Sequence, residues 1–113
     1  MLGMEKILVE DFSKINILVG TILDAKLNSK AKKTAYILRI DFGSYGIKKS
    51  SAQITKNYSI KSLIGMQIIA VVNLPIKIVA GIESEVLVLG VHSLDKDVVL
   101  LTPSESIENG LMV

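Results

Sequence analysis

Ala35-Tyr36-Ile37-Leu38-Arg39-Ile40-Asp41-Phe42, Gly43-Ser44-Tyr45-Gly46, Ile47-Lys48-Lys49-Ser50-Ser51-Ala52-Gln53-Ile54: how this stretch is read decides the fold. Its first part alternates, with Tyr36, Leu38, Ile40 and Phe42 on one side and Arg39 and Asp41 on the other, the period of a half-buried strand. Gly43 to Gly46 is a turn cluster, and Ile47 to Ile54 returns as a second arm bearing Lys48, Lys49, Ser50, Ser51 and Gln53. The pair reads as a β-hairpin.

Working outward, Ile17 to Leu27 is rich in β-branched and apolar residues and predicts an earlier strand, with Gly20 as its bulge or bend. Asp11 is placed to cap a short helical turn through Ser13 and Lys14. Asn28 to Thr34 is polar and lysine-rich, a loop. Thr55 to Ile64 has poor strand chemistry and fits a short helix or turn. Gln67 to Leu74, ended by Pro75, and Glu85 to Leu89, closed by Gly90, read as buried strands, and Asp97 to Leu101 as a sixth. Five or six short strands around a central helical break predict an all-β protein with short helices. The architecture is a five-stranded Greek-key barrel of the oligonucleotide/oligosaccharide-binding (OB) type, which leaves few strand edges exposed. A β-sandwich is the rival, disfavoured by the helical break. No linker, repeat or low-complexity tract divides the chain, so residues 1–113 form one domain.

Charge is segregated along the sequence. Ten of the thirteen basic residues lie between Lys26 and Lys77 with a single acidic one, Asp41, giving that block a net +9; the flanks carry three basic against ten acidic residues, a net −7. A basic region inside a nearly neutral protein is the footprint of a polyanion partner, nucleic acid first. The loop cluster Lys30, Lys32 and Lys33 can track a phosphate backbone by charge alone. Lys48, Lys49, Ser51 and Gln53 set ammonium groups beside hydroxyl and amide groups, a mixture suited to phosphate and sugar. Asn73 and Lys77 follow a buried strand, where such a barrel presents its ligand-facing rim. Ser84 and Glu85 put a carboxylate in basic surroundings, able to accept from a base edge or a peptide amide. His92 reads as an ordinary loop residue.

Aromatic scarcity selects the kind of nucleic acid. Of Phe12, Tyr36, Phe42, Tyr45 and Tyr58, the first three take core-facing positions, which leaves Tyr45 and Tyr58 as stacking platforms. A generic single-strand binder needs more of them, so a structured RNA read by shape and phosphate is favoured. The aliphatic surplus suggests a second function class, peptide binding: Ile76, Ile78, Val79 and Ile82 form an apolar stretch that is neither clean strand nor helix and suits a groove. The apolar end Leu111-Met112-Val113 suggests a tail packed on the core or on a second subunit.

Catalysis is not expected. There is no cysteine, a single histidine, and no nucleophile, metal, cofactor or phosphate-loop pattern. The longest apolar run, Ile68 to Val72, is far too short to span a bilayer, and the N-terminus lacks a secretory pattern, so a soluble cytoplasmic protein with no membrane insertion is expected.

Three segments, in order, carry a family resemblance: Asp11-Phe12-Ser13-Lys14-Ile15-Asn16-Ile17-Leu18-Val19-Gly20; Ile40-Asp41-Phe42-Gly43 followed by Lys48-Lys49-Ser50-Ser51-Ala52-Gln53-Ile54; and Asn73-Leu74-Pro75 through Gly81 to Ser84-Glu85-Val86-Leu87-Val88-Leu89-Gly90. From about Asp11 to Gly110 the chain resembles the CsaA family of protein-secretion chaperones, relatives of the tRNA-binding domains attached to some methionyl- and phenylalanyl-tRNA synthetases. The resemblance implies an OB fold with N- and C-terminal extensions, a homodimer and no catalysis. Its implied partners are unfolded or preprotein polypeptides and tRNA, with the secretion ATPase a further candidate. The tRNA-binding relatives usually carry His-Pro-x-Ala-Asp where this chain has Asn28-Ser29-Lys30-Ala31-Lys32-Lys33, and Val-Ser-Gly where it has Ser51-Ala52-Gln53. Both departures point toward the chaperone branch, with a dedicated tRNA-binding protein acting in trans as the alternative.

Overall fold

A long strand, β1 (Ile17–Leu27), is the spine of the computed structural model, which describes residues 3–95 and 97–113. Its second half pairs antiparallel with β2 (Tyr36–Asp41), which pairs with β3 (Ile47–Ala52). Its first half pairs with β4 (Gln67–Val71). Two short hairpin strands follow, β5 (Lys77–Val79) and β6 (Ile82–Ser84), then β7 (Leu87–Val88), which pairs with β4, and a second hairpin of β8 (Gly90–Ser93) and β9 (Asp97–Leu100). The main sheet runs β3-β2-β1-β4-β7 and curls into a nearly closed, five-stranded antiparallel barrel of the OB type. β9 forms where a sixth strand was expected, but outside this sheet.

Two partners on one strand require β1 to bend. It does so at a register shift between Ile22 and Asp24, a β-bulge that increases local twist. Gly20, expected to be that bulge, has another purpose. A Cβ there would stand 2.7 Å from Ile40 Cγ2 and from two ring carbons of Phe42, so the missing side chain is the space those two core residues fill. The interior is aliphatic, with Leu18, Ile22, Leu38, Ile40, Phe42, Leu63 and Ile68 fully buried. As the alternation requires, Tyr36, Leu38, Ile40 and Phe42 all face inward.

Closure is achieved largely by side chains. Opposite β3, the segment between β6 and β7 sends Glu85 N–H to the Lys49 carbonyl (2.8 Å), while the Glu85 carboxylate accepts from Lys49 N–H (3.1 Å). Ser84 Oγ accepts from Ser51 N–H (3.0 Å), and the buried Ser50 hydroxyl donates to the Val86 carbonyl (3.1 Å). This rim position leaves Val86 as the buried residue of the 85–89 run and Leu87 exposed. Below the barrel, α2 (Ile60–Leu63) is capped by Ser59, whose Oγ accepts from Ser62 N–H, and inserts Leu63 into the core.

Three expectations change at the ends. The first helix, α1 (Val9–Phe12), begins at Leu8 without a side-chain cap; Asp11 lies inside it and pairs with Lys14 at 3.3 Å. Phe12 is half exposed rather than core-facing, because α1 buries no residue and its neighbours Met4, Ile7, Leu8 and Val9 are exposed too. The tail returns to the barrel as backbone: Val19 N–H donates to the Leu111 carbonyl, Gly110 N–H to the Val19 carbonyl and Val113 N–H to the Ile17 carbonyl, while Leu111, Met112 and Val113 keep exposed side chains.

Candidate nucleic-acid interface

Period two separates Lys48 from Lys49. Lys49 lies opposite Arg39 on the outer face of the β2–β3 pair, whereas Lys48 lies opposite the buried Ile40 on the inner side of the strand. There it lines a cavity of about 220 Å³ with Asn16, Phe42, Tyr45 and Asn73. The two lysines, expected to act as a pair, therefore serve different faces.

Arg39 was not among the expected site residues, and its position carries information. Two like charges directly opposite each other on neighbouring strands are destabilising, by roughly 0.2–1 kcal/mol on the scale of such pairs. Among the described residues the ion pair found within 4 Å is Lys14–Asp11, so neither Arg39 nor Lys49 is neutralised by a carboxylate at contact. Asp24 lies across from Arg39 on β1, but its carboxylate accepts from Ala25 N–H at 2.9 Å. An external anion between Arg39 and Lys49 would relieve their repulsion.

The loop lysines lie between β1 and β2, at the end of the strand pair where Tyr36 faces Ala52. Asn28, buried at the end of β1, organises them: its Oδ1 accepts from Lys30 N–H (3.1 Å), its carbonyl from Ala31 N–H and its own N–H donates to the Ala35 carbonyl. Lys30, Lys32 and Lys33 then line one wall of a cleft of about 510 Å³, with Gln53 on its floor and Val79 and Ala80 opposite. That opposite wall is the tip of the β5–β6 hairpin. Its turn takes φ of 46° at Ala80 and 82° at Gly81, the left-handed pair a two-residue hairpin turn needs.

The remaining expected residues divide. Ser84 and Glu85 spend their polar groups on closing the barrel, a different use from the base or peptide contact expected of them. Ser51 also gives its N–H to the seam. Asn73 ties down the N-terminal segment, its Oδ1 accepting from Asn16 N–H (2.8 Å) and its Nδ2 donating to the Lys14 carbonyl (2.7 Å). Lys77 is exposed at the base of β5. Ile76 and Ile78 are exposed, while Val79 and Ile82 are half-buried in a hairpin, not an irregular loop. Tyr45 is half exposed. Tyr58 is no platform: its carbonyl accepts from the Tyr36 hydroxyl (2.7 Å) and its own hydroxyl accepts from Leu100 N–H (3.0 Å). His92, read as a loop residue, belongs to β8.

Among the described residues no three His, Asp or Glu side chains gather as a metal would require, and no helix is long and apolar enough to cross a membrane. What the outer face offers is unpaired cations at strand and loop positions beside a cleft.

The family model described as "Putative tRNA binding domain" matches residues 17–111. The methionine–tRNA ligase of Porphyromonas gingivalis strain W83 is 35% identical over 109 residues, which are 96% of this chain and 16% of the ligase. The chain thus spans about a sixth of the length of that relative. Two solved structures match almost end to end: chaperone CsaA from Bacillus anthracis, at 48% identity and TM-score 0.92, and CsaA chaperone protein from Picrophilus torridus, at 49% and 0.90. Each match covers 96% of this chain and 99% of the other. With the barrel and the cationic face already in place, these likenesses make the chain a CsaA-like member of the tRNA-binding-domain family.

Proposed function

We propose that this is a non-catalytic binding protein that holds structured RNA of the tRNA kind on the outer face of β2–β3 and the adjoining lysine loop. The observation that carries the reading is the Arg39–Lys49 cross-strand pair, two cations side by side with no carboxylate at ion-pair distance, on the strand pair into which the loop of Lys30, Lys32 and Lys33 leads. Such a face takes phosphates without reading bases, and its affinity must fall steeply with salt. Titration of purified tRNA over a salt series tests it: log affinity should decline linearly with log salt. Absence of binding, or binding indifferent to salt, contradicts the reading.

A second ligand class has its own support. Ile76, just before β5, and Ile78, within it, stand exposed, and the CsaA relatives are named chaperones. Unfolded polypeptides would meet this apolar edge. Replacing Ile76 and Ile78 by Ser should weaken suppression of aggregation of a denatured client while leaving tRNA affinity unchanged; failure of the unaltered protein to suppress aggregation at several-fold excess removes this function. The protein is further proposed to work as a cytoplasmic homodimer, with the exposed apolar residues of α1 and the tail as contact surface. Light scattering reads this directly.

A further inference from the structure

A second cleft opens beyond Gln53, on the side away from the β5–β6 hairpin. It has a volume of about 450 Å³ and lies between the start of β2, the segment after β3 and the β8–β9 hairpin. Lys33 and Lys56 flank it, Thr34 and Thr55 face each other with their hydroxyls hydrogen-bonded at 2.8 Å, and His92 projects from β8. One carboxylate, that of Asp97, shares the lining. Through Gln53, His92 and Val98 the cleft continues into an apolar slot of about 280 Å³, where the barrel seam between β3 and β7–β8 has parted. Ala52, Ile54, Leu89 and Leu100 line that slot. Gln53 is common to the slot, this cleft and the lysine-loop cleft, so cations continue from Lys30 through Lys33 to Lys56 past one amide.

A polar cleft with two ammonium groups, opening into a mostly apolar slot of about 280 Å³, matches a ligand that is anionic at one end and apolar at the other. The geometry points to a site for one unstacked nucleotide of a bound RNA: phosphate between Lys33 and Lys56, sugar hydroxyls against Asp97 and the threonines, base in the slot with Gln53 at its edge. This rests on the RNA reading above and adds to it. The outer face is indifferent to base pairing, whereas this site requires a nucleotide free of the helix. The aliphatic slot replaces the aromatic platform that the chain lacks.

Two RNAs test it with the full chain: a blunt duplex, and the same duplex with an unpaired tail of a few nucleotides. The tailed RNA should bind about fivefold to tenfold tighter, the lower end of what one accommodated base contributes. Lys56→Ala and Lys56→Gln, at an exposed position outside the lysine-loop cleft, should each reduce the tailed RNA toward the blunt value and leave the blunt duplex unchanged. Equal affinity for the two RNAs in the unaltered protein, or equal weakening of both by these variants, overturns the nucleotide site while sparing the outer face. Absence of binding to both RNAs and to tRNA overturns the RNA reading itself.

Discussion

The barrel sheet and the two hairpins hung from it are built on different physics. β1, β2 and β4 are fixed by fully buried aliphatic side chains and continuous backbone ladders. The β5–β6 and β8–β9 hairpins have few buried residues and short ladders, yet they supply the far walls of the clefts beside the cations. The contrast implies that stability and ligand choice can be changed largely separately: core substitutions should act chiefly on folding, and substitutions on the outer face and hairpins chiefly on binding.

The largest effect that would break this division is expected in the core. Phe42→Ala should cost about 3–5 kcal/mol, read by denaturant unfolding, because a fully buried ring leaves a cavity. Gly20→Ala should cost about 1–3 kcal/mol, since its Cβ would meet Ile40 and Phe42 at 2.7 Å. At the seam, Glu85→Ala strands Lys49 N–H and should cost about 1–3 kcal/mol, and Glu85→Gln, which keeps an acceptor oxygen, should recover most of that. If Glu85→Gln kept its stability while RNA affinity collapsed, Glu85 would belong to the ligand. The smallest effect sharpens the comparison from the hairpin side: Ala80→Gly should raise stability by about 0.5 kcal/mol, as the φ of 46° disfavours a side chain and glycine's greater unfolded entropy offsets part of the gain.

Much of the barrel was legible because burial imposes alternation, and Tyr36, Leu38, Ile40 and Phe42 display it even though Ile37 between them is buried too. The β5–β6 hairpin was not, and of the β8–β9 hairpin only β9 was. β5 and β6 are three residues each, too short for a period to show, and Val79-Ala80-Gly81-Ile82 lacks the Asn-Gly or Asp-Gly signature of its turn type. The faces and partners of the candidate site residues were hidden for a related reason. Lys48 and Lys49 look paired because they are adjacent, and adjacency in a strand means opposite faces. Arg39 acquires its meaning only from the cross-strand register that sets it against Lys49. The seam bonds of Ser84 and Glu85 could not be foreseen because their partners lie 33 and 36 residues away with no local signal. Lys56 and His92 become neighbours of one cleft only once β8–β9 folds back over the end of β3.

The measurement that addresses the central claim most directly is the salt dependence of tRNA affinity in three proteins: the unaltered chain, Arg39→Ala with Lys49→Ala, and Lys48→Ala. The outer-face double variant should lose affinity and shed about two from the slope of log affinity against log salt, about one per phosphate contact. Its thermal stability should be unchanged or slightly raised, because a like-charge pair has been removed. Lys48→Ala, on the inner side of the same strand, should leave the slope nearly intact. A slope that survives the double variant but falls with Lys48→Ala would contradict the account and move the RNA to the opposite face of β3.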